Sequence, residues 1–432
     1  MIPSPVVSRT LRASSIPVCA PAAPGLAARR RQRGAVLVHV AVAMTGLLAF
    51  SALTIDLGSL WVARGQAQNA ADAGALAGAI ALAYVNPTDL DAAQAAAVVV
   101  VQQHKVWGET VAPASLTTAA GACPVGSPSV PGTCLQVRVS RGTASGTPLP
   151  VFFSRLFGVN ATDVTASASA KVMVGNSAPC LRPLAIVDRW TDRYDTTPPV
   201  DGVWTEDDFY EGYDVTGAPN LPPGTGDAYT PPGPGSAGSG ITTADMAGRQ
   251  MRRVEFDPSL GLPLRGDALI SLDLPRAGFE GGSLEAQLGR YTENLNSCTG
   301  VPTPIGAPVS IFHAHRTRYT VDPMLALIAT DPGASWDSAR GAVVGSAFNV
   351  SPRIITVAVV DPEVISQQNR TDPLSVTSPI RNFAGFFVQS AGGWGSSAEV
   401  TGVIVPTAGR FDTTAPVVTE TAAFLRTVAL VR

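Results

Sequence analysis

Two segments of this 432-residue sequence hold residue types that bind metal ions. His313 and His315 alternate in IFHAHRTR, so on a strand both imidazoles would point to one side, as in half of a metal site. No third ligand lies at a suitable spacing and arginines follow directly, which favours a solvated strand face. Residues 188–214 contain nine carboxylates, the ligands that Ca²⁺ prefers, but their spacing matches no EF-hand loop. A solvated acidic loop above packed aromatic residues is the simpler interpretation.

The sequence lacks the common motifs for nucleophilic catalysis, zinc-dependent hydrolysis and nucleotide binding. It has no GxSxG, HExxH or Walker A pattern, and with only four histidines a Ser-His-Asp triad has little material. The net charge of −3 provides no basic surface for nucleic acid. We therefore expect a protein that is not an enzyme, uses no cofactor or metal, binds no nucleic acid and has no evident small-molecule substrate.

The five cysteines form two groups, a single residue near the N-terminus and four residues further along the chain. Cys19 stands alone in an arginine-rich leader, and the other four follow a long apolar segment. Four cysteines in an oxidising compartment permit two disulfides, in three possible pairings. Cys123 and Cys134 flank a turn-rich loop of ten residues that can close locally. We therefore favour Cys123–Cys134 and Cys180–Cys298, with the second bridge crossing a Gly- and Pro-rich loop.

One long apolar segment determines on which side of a membrane the other parts of the chain are expected to lie. Residues 35–55 contain no charged side chain, and as a helix these 21 residues span roughly 31 Å, the thickness of a hydrocarbon core. The cluster Arg29–Arg33 precedes the segment, so the positive-inside rule places residues 1–33 in the cytoplasm and residues 57–432 outside. Trp61 would lie near the outer interface. The long basic leader and long apolar run favour a retained single-pass helix over a cleaved signal.

His39 lies one turn inside this apolar segment. An ionisable residue within a membrane is a functional hypothesis by default. The alternative is a neutral imidazole near the cytoplasmic interface, which is tolerated at little cost. We favour the alternative.

The predicted helix continues beyond the membrane to residue 84. Ala63, Ala67, Gly74 and Gly78 form a stripe of small residues along one side, and Asp72 belongs to an opposite polar face. Small residues allow helix backbones to approach closely. The stripe is compatible both with a helix that covers its own domain and with a helix that packs against partner helices, and the sequence does not decide between them.

The remaining segments predict an α+β protein. Its long N-terminal transmembrane helix would extend into a pilin-like α/β unit, followed by a β-rich periplasmic domain. The predicted divisions are a cytoplasmic basic leader (1–33), a transmembrane helix (34–57), a helix extension with a small α/β unit (58–175), and a β-rich domain (176–432) with a flexible loop at 217–240. Predicted strands are residues 135–140, 164–174, 353–361, 382–389 and 399–411.

Residues 29–84 resemble the N-terminal region of TadG-like proteins of the bacterial tight-adherence (Tad, Flp) pilus system. The resemblance is densest in RRRQRGA and in LTIDLGSLWVARGQAQNAADAGALAGA, where Asp56 belongs to the IDLG turn. Shorter segments downstream, such as PCLRPLAIVDRW at 179–190, resemble long members of the family. The resemblance implies an inner-membrane component of pilus assembly with a periplasmic body. Its partners would be pilin-like membrane proteins, the assembly platform or the secretin.

The resemblance also implies roles for particular residues. The segment from Gly34 to Gly78 would make the helix contacts, and Asp56 would cap the junction or pair with a partner at the outer leaflet. Gly34 fits the glycine after which type IV prepilins are cleaved, but the fifth residue after it is His39 rather than the usual glutamate. This departure argues against a processed minor pilin within the fibre. A membrane-tethered periplasmic binding protein unrelated to pili is a further alternative.

Overall fold

A computed structural model of the chain describes residues 33–84, 90–121, 134–194, 202–212, 226–246, 250–252, 264–312, 317–348, 350–393 and 399–431. Several predictions fall outside these residues: the leader up to residue 32, Cys123, His313, His315 and the first part of the Gly- and Pro-rich loop (217–225).

The chain divides into two compact units. The first, here called the anchor unit, contains Met1–Ser59 and Val151–Asn160. The second, the sheet unit, contains Leu60–Pro150 and Ala161–Arg432. The predicted domain boundaries at residues 33, 57 and 175 follow a different division and stay predictions.

The helices and strands alternate irregularly along the chain. The helices are α1 (Arg33–Tyr84), α2 (Leu90–Gln102), α3 (Thr243–Met246), α4 (Leu284–Ser297), α5 (Thr317–Thr330) and α6 (Pro362–Thr371). The strands are β1 (Lys105–Val106), β2 (Glu109–Thr110), β3 (Leu116–Gly121), β4 (Cys134–Arg141), β5 (Leu149–Pro150), β6 (Ala161–Thr162), β7 (Val164–Val174), β8 (Ser177–Ala178), β9 (Leu181–Val187), β10 (Gln250–Arg252), β11 (Leu269–Asp273), β12 (Thr303–Pro304), β13 (Pro308–Ile311), β14 (Ser335–Asp337), β15 (Ala342–Val344), β16 (Ile354–Val360), β17 (Thr377–Gly392), β18 (Glu399–Val405), β19 (Thr407–Ala408) and β20 (Leu425–Val431).

A five-stranded sheet packs against the C-terminal part of α1. Its spatial order is β19, β20, β7, β4 and β3, and all neighbours are antiparallel except β19 and β20. Along β4, Leu135, Val137 and Val139 are fully buried and alternate with more exposed polar residues, because successive side chains on a strand point to opposite faces. The last strand, β20, comes from the end of the chain, and Tyr84 Oη at the end of α1 donates to the Arg426 carbonyl oxygen (2.8 Å).

A larger sheet of seven strands has the spatial order β10, β18, β17, β13, β11, β9 and β16. β16 also pairs with β17, so the pairings from β17 to β16 close into a ring of five strands. Along β16, Ala358 and Val360 belong to one hydrophobic core, while Val357 and Val359 belong to another that includes residues of α4 and α5. Since both faces are covered, the strand reads as a continuous apolar run rather than an alternating one.

The structure confirms the predicted long apolar helix and the β-rich C-terminal part, which also contains helices. The strands predicted at 135–140, 164–174, 353–361 and 382–389 are β4, β7, β16 and part of β17. The segment predicted as one strand at 399–411 is two short strands, β18 and β19.

Candidate functional site

The first turns of α1 are apolar on every side, and the other described residues do not cover them. From Val36 to Ile55 no residue is buried, and Leu37, Phe50 and Leu48 expose 73%, 73% and 68% of their surface. A surface helix of a soluble domain keeps a polar face instead. His39 is exposed on this part of the helix.

Hydroxyl groups in this exposed part of α1 are satisfied within the helix. The hydroxyls of Thr45, Ser51 and Thr54 each donate to the carbonyl oxygen four residues earlier, at 2.7–2.8 Å. A hydroxyl that bonds to its own helix need not be solvated by water. The helix thus presents no unsatisfied hydroxyl at these three positions, as a hydrocarbon environment requires.

Asp56 follows the apolar run and is 3% exposed, because a distant loop folds over its carboxylate. The backbone N–H groups of Phe152 and Phe153 donate to Oδ1 at 2.9 and 3.3 Å, and Phe153 also reaches Oδ2 at 3.1 Å. Ser154 donates to Oδ2 with its backbone N–H (2.6 Å) and with its hydroxyl (2.5 Å). We call Asp56 with Phe152–Ser154 the Asp56 site, and all of its members belong to the anchor unit.

The loop that bears these donors has its own local structure. A 3₁₀ helix covers Ser154–Phe157, and Gly158 ends it with φ of +83°, a conformation that glycine adopts without steric penalty. Two of the N–H groups that donate to Asp56, those of Phe153 at the N-cap and Ser154, are among the ones that the start of the short helix leaves without an internal partner. A carboxylate near the N-terminus of a helix also interacts favourably with its dipole.

The stripe of small residues on α1 is buried within the sheet unit. Ala63 and Ala67 are fully buried, and at Gly74 and Gly78 α1 lies directly against α2 and β4. Asp72, on the other side, accepts a hydrogen bond from Gln68 Nε2 at 2.8 Å. Of the two interpretations that the sequence left open, these contacts favour a helix that covers its own domain, since α2 and the five-stranded sheet already occupy the stripe.

We expect Gly78→Ala and Gly65→Ala to change stability in opposite directions. A methyl group at Gly78 would overlap Leu135 Cδ2 and lie 2.8 Å from the Ala93 carbonyl oxygen, so α1 and α2 would have to separate. Such overpacking lowers the free energy of unfolding by about 1–3 kcal/mol. At Gly65 a methyl group would meet nothing within 4 Å, so the gain in helix propensity of about 1 kcal/mol remains.

Thermal unfolding of the purified full chain in detergent measures both variants. Equal destabilisation at the two positions would contradict the close packing of α1 on α2.

The first carboxylate of the acidic segment, Asp188, is buried and hydrogen-bonded within the protein. Asp188 is 1% exposed and accepts hydrogen bonds from the hydroxyl of Tyr229 (2.7 Å) and from the N–H groups of Ile241 (2.8 Å) and Arg189 (3.0 Å). Burial raises the pKa of Asp188 to about 6, although these hydrogen bonds oppose the shift. The side chain therefore links its own segment to Tyr229 and Ile241.

A second buried carboxylate, Asp227, plays a similar part. It accepts from the N–H groups of Arg193 (2.9 Å) and Glu211 (2.8 Å), and burial raises its pKa. Among the described residues, no group of three or more His, Cys, Asp or Glu side chains is arranged to hold a metal ion. Three acids of the segment, Asp195, Asp201 and Asp214, lie outside the described residues.

The predicted bridge between Cys180 and Cys298 is present in the structure. Their Cα atoms are 5.3 Å apart, and the bridge joins residues separated by 118 positions. Cys134 is also disulfide-bonded, whereas its predicted partner Cys123 lies outside the described residues.

The sequence singled out Asp56 but not the residues that bind it. Phe152, Phe153 and Ser154 lie 96–98 positions away along the chain. No local spacing within PVFFSRLFGV, residues 150–159, indicates that its N–H groups meet a carboxylate on α1.

Among the described residues, one helix is long and apolar enough to cross a membrane, and the chain also contains a β-rich part with helices. A helix of this length and apolarity near the N-terminus suggests membrane anchoring. Residues 34–81 match the family described as putative Flp pilus-assembly TadE/G-like. The match confirms the resemblance to TadG-like proteins of the Tad system, and it covers most of α1, including Asp56 and the small-residue stripe. Neither a curated protein nor a solved structure matches the chain.

Proposed function

We propose that this chain is an inner-membrane component of Tad pilus assembly with a structural, non-enzymatic role. Residues 34–57 cross the membrane, the arginine-rich leader stays in the cytoplasm, and the β-rich part lies in the periplasm. The observation that carries the proposal is the TadE/G-like match over a helix in which no residue from Val36 to Ile55 is buried. Pilin-like membrane proteins, the assembly platform or the secretin are the partners that this role requires.

The cysteines support the proposed orientation independently of the apolar helix. Disulfides form and persist in the bacterial periplasm and are rare in the cytoplasm, where thiols are kept reduced. Cys180 and Cys298, which form a disulfide, both follow the proposed membrane span. The positive-inside rule, applied to the arginines before the span, leads to the same orientation.

Deletion of the gene tests the proposed role. We expect deletion cells to lose their fibres in electron micrographs, and we expect the full chain to restore them. A variant lacking residues 35–55 should not restore the fibres, because it has no anchor.

Unchanged fibres after deletion would contradict the role in pilus assembly and would favour a periplasmic binding protein. Recovery of the chain in sheared fibres, with Ala35 as its first residue, would instead favour a processed minor pilin.

A further inference from the structure

We propose that the loop Val151–Asn160 is a second membrane contact, which rests on the outer lipid headgroups beside the membrane-crossing helix. The inference adds a lipid-binding surface to the proposed anchor. The loop follows β5 and precedes β6, but it belongs to the anchor unit rather than to the sheet unit.

The Asp56 site fixes the depth of this loop relative to the membrane. Asp56 comes directly after the uncharged run of residues 35–55, at the position where the helix leaves the hydrocarbon core. The backbone nitrogens of Phe152, Phe153 and Ser154 lie within 3.3 Å of its carboxylate. The start of the loop is therefore held at the level of the outer headgroups.

The side chains of the loop suit a lipid surface. Phe152, Phe153 and Val159 expose 55%, 39% and 46% of their surface, a high share for apolar residues within ten positions. Arg155 is exposed, and the loop contains no acid, so its charge complements anionic headgroups. Apolar residues combined with a basic residue are typical of segments that lie in the membrane interface.

Five backbone N–H groups of the loop have acceptors within the anchor unit. Asp56 accepts from the N–H groups of residues 152–154, and within the loop Gly158 and Val159 donate to the carbonyl oxygens of Arg155 and Ser154. Burial of an unpaired N–H group away from water costs roughly 1–3 kcal/mol. Asp56 removes this penalty at positions 152–154, which gives a reason for burying a carboxylate at the membrane boundary.

Photo-crosslinking of the full chain tests the proposal. The photoreactive residue p-benzoylphenylalanine replaces Phe152 or Phe153, one at a time, in protein reconstituted into vesicles of phosphatidylethanolamine and phosphatidylglycerol. Phe348 and Phe411 are matched controls, because they expose 51% and 39% of their surface. We expect lipid adducts at 152 and 153 to exceed those at 348 and 411 by about tenfold, a preference of about 1.4 kcal/mol.

Two results would overturn the proposal. The first is a yield of lipid adducts at 152 and 153 no greater than at the control positions in the vesicles. The second comes from the same variants in host cells: adducts to a protein in place of lipid would show that a partner covers the loop. The vesicles contain no other pilus component, so the first measurement stands or fails independently of the proposed role in pilus assembly. An unchanged unfolding midpoint shows that each variant is folded.

Discussion

The Asp56→Leu variant is expected to abolish piliation while the amount of protein in the membrane stays at the wild-type level. Leucine branches at Cγ as aspartate does but accepts no hydrogen bond, so the N–H groups of Phe152, Phe153 and Ser154 lose their acceptor. Hydrogen bonds to a charged group contribute about 1.5–3 kcal/mol each, although not additively. A loss of about 3 kcal/mol would raise the open population of the loop more than a hundredfold.

Trypsin reports the opening of the loop directly, because Arg155 lies within it. We expect cleavage after Arg155 to be much faster in Asp56→Leu than in the wild type, and intermediate in Asp56→Asn, which keeps one acceptor oxygen. Asp72→Asn is the matched control, because it removes an acid from the same helix, and this acid accepts a hydrogen bond from Gln68. Normal fibres and an unchanged cleavage rate in Asp56→Leu would contradict a role for the Asp56 site.

The sequence predicted where Asp56 lies but not what it binds. A charged residue directly after an uncharged run of 21 residues is visible in the sequence alone. Its partners are on a loop almost one hundred residues away, and the N–H groups that donate belong to the backbone. Backbone groups carry no signature of residue type, so no pattern of side chains could reveal this contact.

The stripe of small residues shows a second limit. Ala63, Ala67, Gly74 and Gly78 predict a close approach of another backbone, and this approach is present. The sequence could not identify the neighbour, because α2 and a partner helix would require the same small side chains. Only the tertiary contacts with Val101 and Leu135 show that the neighbour belongs to the same chain.

Strand positions were predicted more successfully than strand partners. Alternating residues in β4 and β7 and the apolar run in β16 reflect burial on one or both faces, which is a local property. The pairing of β20 with β7 joins residues more than 250 positions apart, and the ring from β17 to β16 includes the pairing of β9 with β16, whose partners lie 173–175 positions apart. Periodicity carries no information about such pairings.

The disulfide between Cys180 and Cys298 is expected to make a large contribution to the stability of the sheet unit. Closing a loop of 118 residues reduces the entropy of the unfolded chain by an amount equivalent to about 5 kcal/mol at 25 °C, and measured losses are about 2–5 kcal/mol. We expect the double variant Cys180→Ala/Cys298→Ala to unfold at a clearly lower temperature than the wild type. Cys19→Ala, which changes the predicted cytoplasmic cysteine, should leave the midpoint unchanged.

Thiol labelling in cells connects this bridge to the proposed orientation. If the β-rich part lies in the periplasm, Cys180 and Cys298 should react with a maleimide only after reduction, and they should react directly in cells that lack the periplasmic oxidase. Free thiols at both positions in wild-type cells would contradict the periplasmic location, even if the purified protein forms the bridge. A lower unfolding midpoint in the double variant, together with protected thiols in wild-type cells, would show that the stability of the sheet unit depends on export. The stabilising bond forms only where the environment is oxidising.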